Sequence, residues 1–272
     1  MSHKLSVIGV GNMAKAIING IQNSKSDISE IILFDKNTQQ YSVIASGHCK
    51  VSYGKSISCA VELSDTVLLA VKPQNFGEVL SEIRLADEHP NKHYITIAAG
   101  ISIDTVSSAL GGSQVTRVMP NLPLTVGSGV SAICRSKNTT DANFSLACSL
   151  FSSIGSVLQI EESDMNKIIS VTGSSPAYVL KFINAIYNGA LQQGLTASKE
   201  LLDSICDVFI GTAKLLKNSE LSPDELISKV ASKGGTTEKA LLKLDEHDTD
   251  NAINQAMLAC TQRAEELGKA SK

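Results

Sequence analysis

Up to Glu161 the apolar and polar positions follow two alternating rhythms. Short runs at residues 7–10, 31–34, 67–71, 94–98, 114–119, 130–134 and 156–160 read as strands. Between them apolar residues recur at helical spacing, as in Met13, Ala16, Ile17, Ile18 and Ile21. This alternation predicts a mostly parallel sheet covered by helices. After Glu161 the strand rhythm stops. Val179, Ile183, Ile186 and Ala190 mark one apolar helix face, and Leu202, Ile205, Phe209 and Leu216 mark another. Ser222-Pro223-Asp224-Glu225 supplies an N-cap, a proline at the first helical position and a capping-box glutamate, so a short helix is expected there. The boundary falls at residues 161–164, giving an α/β domain over 1–161 and an all-helical domain over 162–272. Apolar positions such as Ile205, Val208, Phe209 and Ile210 cover more than one helix face; either the helices pack in several layers or they meet another subunit.

The first strand ends in Gly9-Val10-Gly11-Asn12-Met13-Ala14. Gly9 permits a tight strand-to-helix turn, Gly11 lets backbone approach a pyrophosphate, and Ala14 lets the helix pack close to the strand. A helix N-terminus placed there presents free N–H groups and a favourable dipole to phosphate. The second strand ends at Asp35, a little beyond the roughly 20-residue interval usual for the acid that binds the adenosine ribose. This conjunction reads as the dinucleotide-binding half of a Rossmann-type doubly wound sheet. Asp35 favours a free ribose 2′-OH, whereas Lys36 and Asn37 stand next to it and could turn toward a 2′-phosphate, so NADH and NADPH both remain open.

Three further segments lie at carboxyl ends of predicted strands, where open α/β sheets bind ligands. Ala70-Val71-Lys72-Pro73-Gln74 is a candidate cofactor contact; equally, Pro73 ends the strand and Lys72 is solvated. Ala98-Ala99-Gly100 offers small residues that would let backbone come close to a nicotinamide. In Arg117-Val118-Met119-Pro120-Asn121 the Asn121 amide could donate into the cleft. In the helical half, Gly173-Ser174-Ser175-Pro176-Ala177-Tyr178 is explained by a serine cap and a proline opening a helix. Ser232-Lys233-Gly234-Gly235-Thr236-Thr237 is either a plain helix connection or a loop whose N–H groups hold a carboxylate.

Composition narrows the partners. The 272 residues are 43% hydrophobic and 19% charged, ordinary for soluble globular domains, with a net charge of −3 and 4% aromatic residues. That balance argues against nucleic acid as a partner. Only Met1 to Lys4 precede the first strand and no run reaches 18 apolar residues, so neither a signal peptide nor a membrane span is expected and a cytoplasmic location is. The six cysteines and five histidines show no metal-ligand spacing.

Taken in order, the glycine turn, Ala70-Val71-Lys72-Pro73-Gln74, Ala98-Ala99-Gly100-Ile101, Arg117-Val118-Met119-Pro120-Asn121, Gly173-Ser174-Ser175-Pro176-Ala177-Tyr178 and Gly234-Gly235-Thr236-Thr237 make the chain resemble the pyrroline-5-carboxylate reductases over nearly its whole length. The resemblance implies reduction of 1-pyrroline-5-carboxylate to L-proline with NADPH or NADH, the last step of proline biosynthesis. It implies that Gly9, Gly11, Asn12 and Met13 line the pyrophosphate turn, that Ala70 and Lys72 border the cofactor, and that Asn121 sits near the nicotinamide. Ser232, Gly234, Gly235, Thr236 and Thr237 would hold the substrate, with the Thr237 hydroxyl aimed at its ring nitrogen. It also implies a homodimer, or a larger homo-oligomer, formed through the helical domain. Two positions depart from the family's usual pattern: Ser175 stands for glycine and Lys233 for proline. The rival readings are a reductase of another small imino or 2-hydroxy acid, and a non-catalytic dinucleotide sensor.

Overall fold

A computed structural model describes residues 3–24, 26–44, 47–86 and 92–270. Among the described residues eight strands form one sheet in the order β3-β2-β1-β4-β5-β6-β7-β8. The strands are β1 (His3–Ile8), β2 (Ile28–Phe34), β3 (Lys50–Tyr53), β4 (Thr66–Leu69), β5 (His93–Thr96), β6 (Gln114–Met119), β7 (Gly129–Arg135) and β8 (Gly155–Gln159). The helices between them are α1 (Asn12–Asn23), α2 (Ile57–Glu62), α3 (Phe76–Ala86), α4 (Ile103–Ala109) and α5 (Asp141–Ser152). All neighbouring strands run parallel except β6 and β7. That link holds only a 3₁₀ turn, Leu122–Val126, and Gly127 at φ +70°, with no room for the crossover helix that a parallel return needs.

Both faces of the sheet are covered, which is why its central strands read as apolar runs. On one face Leu5, Val7 and Ile31 pack with Ala14, Ile17, Ile18 and Ile21 of α1 and with Leu150 and Phe151 of α5. On the other, Ile8, Val67 and Tyr94 pack with Val79 and Ile83 of α3 and Val106 of α4. Each aliphatic side chain buried this way contributes about 1.5–3 kcal/mol. At the amino ends of the strands a polar ladder crosses the sheet. His3 Nε2 lies 2.8 Å from Thr66 Oγ1, Thr66 Oγ1 lies 3.4 Å from His93 Nδ1, and His93 Nε2 lies 2.8 Å from Thr116 Oγ1. Burial lowers the His93 pKa to about 4, with the nearby His3 adding to the shift.

By compactness the chain divides into one unit of Met1–Pro176 with Cys260–Lys272 and another of Ala177–Ala259. The division comes later than the change of rhythm at Glu161 because the first helical turns still belong to the sheet's core. Met165 in α6 (Met165–Ile168) is fully buried there, and Ile168 and Ile169 pack against it. A π-helical turn, Ile169–Gly173, follows before α7 (Ser175–Gln192). The last part of α11 (Thr249–Ala270) returns to the same unit, with Ala264 buried and Thr261 Oγ1 donating to Ser170 Oγ.

The second unit is helical. It contains most of α7, then α8 (Lys199–Lys217), α9 (Pro223–Val230), α10 (Thr236–Glu246) and the start of α11. The capping box expected at Ser222 is present, with Glu225 closing it onto the Ser222 backbone N–H. Its apolar residues are unusually open in the single chain: Leu180, Val208 and Val230 are 60%, 64% and 65% exposed. No helix among the described residues is long and apolar enough to cross a membrane.

Candidate cofactor cleft and substrate loop

At the end of β1, Gly9 adopts φ +92°, a conformation side chains disfavour, and a Cβ there would lie 2.9 Å from both Ala70 O and Val71 Cγ1. Its N–H donates to Phe34 O at 2.8 Å and Ala70 N–H donates to Ile8 O at 2.9 Å, so the turn is pinned to both neighbouring strands. Gly11 serves a different purpose. It is the N-cap of α1 in ordinary extended backbone, φ −77° and ψ −178°, and a Cβ there would meet nothing within 4 Å. No side chain caps α1 and no acid stands in its first turn, so its leading N–H groups remain available to an anion. These features fit the pyrophosphate of a dinucleotide.

The turn opens onto a cleft of about 370 Å³ that gathers seven of the expected cofactor positions: Gly9, Gly11, Asp35, Lys36, Ala70, Val71 and Lys72. The other five lie elsewhere. Asn12 lines a separate groove along α1, and Met13 is half-buried against the core. Pro73 opens a 3₁₀ turn beside the cleft, and Ala98 is buried in the core beyond β5.

Asn121 has its amide engaged within the protein. Its amide is 7% exposed and turned inward: Nδ2 donates to Thr172 O at 2.9 Å and Oδ1 accepts from Val130 N–H at 2.9 Å. The reason lies in Pro176, which has no N–H to give the carbonyl four residues earlier, that of Thr172. Asn121 supplies the missing donor. The serine cap expected for residues 173–178 is corrected. Ser174 has helical backbone, φ −95° and ψ −23°, and its N–H donates to Ile169 O at 2.7 Å, so the chain passes through a π turn rather than starting from a fresh serine cap.

Asp35 is held in place by backbone. Its Oδ2 accepts from Val10 N–H at 2.6 Å and its Oδ1 from Asn37 N–H at 2.8 Å, and Tyr41 Oη accepts from its own N–H. The carboxylate thus ties the glycine turn to the end of β2. Lys36 reaches across to α3, where Nζ lies 2.7 Å from Glu78 Oε1. At the end of β6, buried Arg117 holds Glu162 at 3.3 Å and Asn166 at 3.4 Å, and Glu162 also accepts from Ile103 N–H. Burial pushes the neighbouring Cys134 thiol up to about 12, which leaves it a protonated, inert filler.

In the helical unit, residues 232–235 form a tight turn closed by Gly235 N–H donating to Ser232 O at 2.9 Å. Gly234 sits at φ +74° while Lys233 is not among the residues with positive φ, the signature of a type II turn with glycine at its third position. Lys233 therefore occupies the second position, where proline fits best. Gly235 is the N-cap of α10 without a side-chain cap, and Thr236 and Thr237 form its first turn. The Gly234 N–H is already taken by Glu238 Oε2 at 2.8 Å. The N–H groups of Thr236 and Thr237, at the uncapped helix start, are those left to an anion. Glu238 went unremarked in the sequence, though its spacing three residues after Gly235 is that of a capping-box acid. Glu78 carries no local sequence signal; only the fold brings it to Lys36.

Comparison with known proteins adds an independent line. Residues 162–267 match the family model described as pyrroline-5-carboxylate reductase dimerisation, and residues 4–100 match one described as NADP oxidoreductase coenzyme F420-dependent. A pyrroline-5-carboxylate reductase of Synechocystis sp. is 33% identical over 99% of this chain and 100% of its own length, and that of Haemophilus influenzae is 33% identical over 98% of each. Among solved structures, a pyrroline-5-carboxylate reductase from Coxiella burnetii superposes with a TM-score of 0.88 at 26% identity, covering 98% of this chain and 99% of that one. The Plasmodium falciparum pyrroline carboxylate reductase with NADP bound gives 0.84 at 25% identity, covering 98% of both. End-to-end identity, the matching fold and the glycine and threonine turns agree: the chain belongs to the pyrroline-5-carboxylate reductase family.

Proposed function

We propose that this protein reduces 1-pyrroline-5-carboxylate to L-proline with NADPH or NADH. The observation that carries the reading is the pairing, in one family member, of two uncapped helix starts: α1 behind Gly11, and α10 behind Gly235. The first suits a pyrophosphate and the second a small carboxylate. When bound, the nicotinamide supplies the hydride that reduces the C=N bond. The chain's own residues bind and orient. Gly9, Gly11, Asp35, Lys36, Ala70, Val71 and Lys72 form the cofactor cleft. Ser232, Gly234 and Gly235 shape the substrate turn, and the Thr236 and Thr237 N–H groups hold the substrate carboxylate. The Thr237 hydroxyl accepts a hydrogen bond from the protonated ring nitrogen. A protonated imine is already electrophilic, so a neutral hydroxyl that fixes its orientation suffices and no strong protein acid is required.

Residues 162–272 act in this reading as the substrate-binding and dimerisation domain. The exposed apolar helix faces of the single chain and the match to a dimerisation model support a homo-oligomer. The protein works in the cytoplasm on a free metabolite.

The test is oxidation of NADPH and of NADH at 340 nm by the purified protein, with and without 1-pyrroline-5-carboxylate. Substrate-dependent oxidation is expected. In Thr237→Ala, loss of one hydrogen bond to a charged group, about 1.5–3 kcal/mol, lowers kcat/KM roughly ten- to a hundredfold. Cofactor binding without oxidation would overturn the reductase reading in favour of a sensor, and an unchanged Thr237→Ala would remove that residue from the mechanism.

A further inference from the structure

The rim of the cofactor cleft beside Asp35 is where an adenosine ribose 2′-substituent lies in this fold class, and a cation there is what accommodates a 2′-phosphate. In this chain the side chains at and just after the end of β2 are already engaged. Both Asp35 oxygens accept backbone N–H groups. Asn37 Oδ1 caps the following 3₁₀ turn by accepting from Gln39 N–H. Lys36 Nζ is hydrogen-bonded to Glu78 Oε1 from the opposite wall, a pairing that raises the lysine's pKa, with Glu82 one turn further along α3 adding to the same field. Glu78 also lines the cleft itself. With Lys36 drawn to Glu78, Asp35 is left to face a phosphate that brings about two further negative charges, and Lys72 is the cation of the cleft lining outside that pair.

We propose that Glu78 is a specificity-determining residue: by holding Lys36 on α3 and presenting its own carboxylate at the rim, it disfavours NADP(H) relative to NAD(H). The inference rests on the cofactor reading above and goes beyond it by naming the side chain that sets the choice. Both partners are exposed, so the pair is weak and the discrimination is graded rather than absolute.

The experiment is isothermal titration of the full-length protein with NAD⁺ and with NADP⁺, in wild type, Glu78→Gln, and Glu78→Gln combined with Lys36→Gln. Glu78→Gln removes one negative charge and frees one positive charge at a solvent-exposed rim. The ratio of the two dissociation constants is expected to move about three- to tenfold toward NADP⁺, with the larger shift at low salt. In the double variant most of that shift should disappear, because the freed lysine is gone. An unchanged ratio in Glu78→Gln overturns the proposal, as does an equal shift in the double variant. Wild type that binds neither nucleotide overturns the cofactor reading itself, and the inference with it.

Discussion

Gly9 and Gly11 stand two residues apart in one motif, yet they should fail in different ways when changed to alanine. At Gly9 the new Cβ would lie 2.9 Å from Ala70 O, and that carbonyl cannot retreat cheaply because the Ala70 N–H is locked to Ile8 O. Holding alanine at φ +92° costs about 1–3 kcal/mol, and forcing a methyl against fixed backbone costs about the same again. The sum, about 2–6 kcal/mol, corresponds to a fall in Tm of roughly 5–20 °C for a chain of this size. At Gly11 the backbone is ordinary and the space is open, so stability should stay within about 1 kcal/mol of wild type. On the proposed cofactor reading, Gly11→Ala removes close approach, because its methyl would project into the open space before the α1 N–H groups, and NADP⁺ affinity should drop roughly tenfold or more. Thermal unfolding followed by circular dichroism and titration calorimetry with NADP⁺ separate the two effects. If Gly11→Ala binds NADP⁺ like wild type, or unfolds as early as Gly9→Ala, the division of labour argued from the turn is wrong.

Other consequences are as direct. His93 titrates near 4 in the folded protein against an ordinary 6.5, so the unfolded chain binds the extra proton first. Its contribution is therefore complete above about pH 6.5 and fades as pH falls toward 4, by up to about 3 kcal/mol; urea denaturation across this window should show that slope in wild type and lack it in His93→Gln. Asn121→Ala removes the partners of the half-buried Thr172 carbonyl and Val130 N–H together, and should destabilise the protein by about 1–3 kcal/mol in urea while leaving the cleft residues in place. Lys233→Pro restores the residue a type II turn prefers and should lower the KM for 1-pyrroline-5-carboxylate by a few fold through reduced loop entropy. A raised KM, matched in Lys233→Gln, would instead show that the lysine's charge attracts the substrate.

What the sequence made readable was whatever depends on neighbours along the chain. Gly9, Gly11 and Asp35 share a strand, a turn and a second strand, so spacing alone placed them in one cleft. The capping box at Ser222 is likewise local. The edge strand β3 was missed because Lys50-Val51-Ser52-Tyr53 is short and mixed in polarity, pairing on one side only. The internal partners of Asn121 are not legible in the sequence for a different reason. Its partner is a carbonyl orphaned by Pro176, and neither residue shows from its own surroundings that the other completes it. The pairing of Lys36 with Glu78 has the same character: a charge on the β2 end and a charge on α3 meet only because the sheet orders β2, β1 and β4 side by side.

The chain leaves its first compact unit at Pro176 and comes back to it at Cys260, where Ser174 Oγ and Cys260 Sγ lie 3.2 Å apart and Ala264 is buried. The helical unit is in effect a long loop spliced into the sheet-bearing one. During synthesis the sheet therefore emerges well before the residues from Cys260 onward that rejoin its unit. A nascent chain that stops before residue 260 carries the complete glycine turn on a body that still lacks the buried Ala264 of α11.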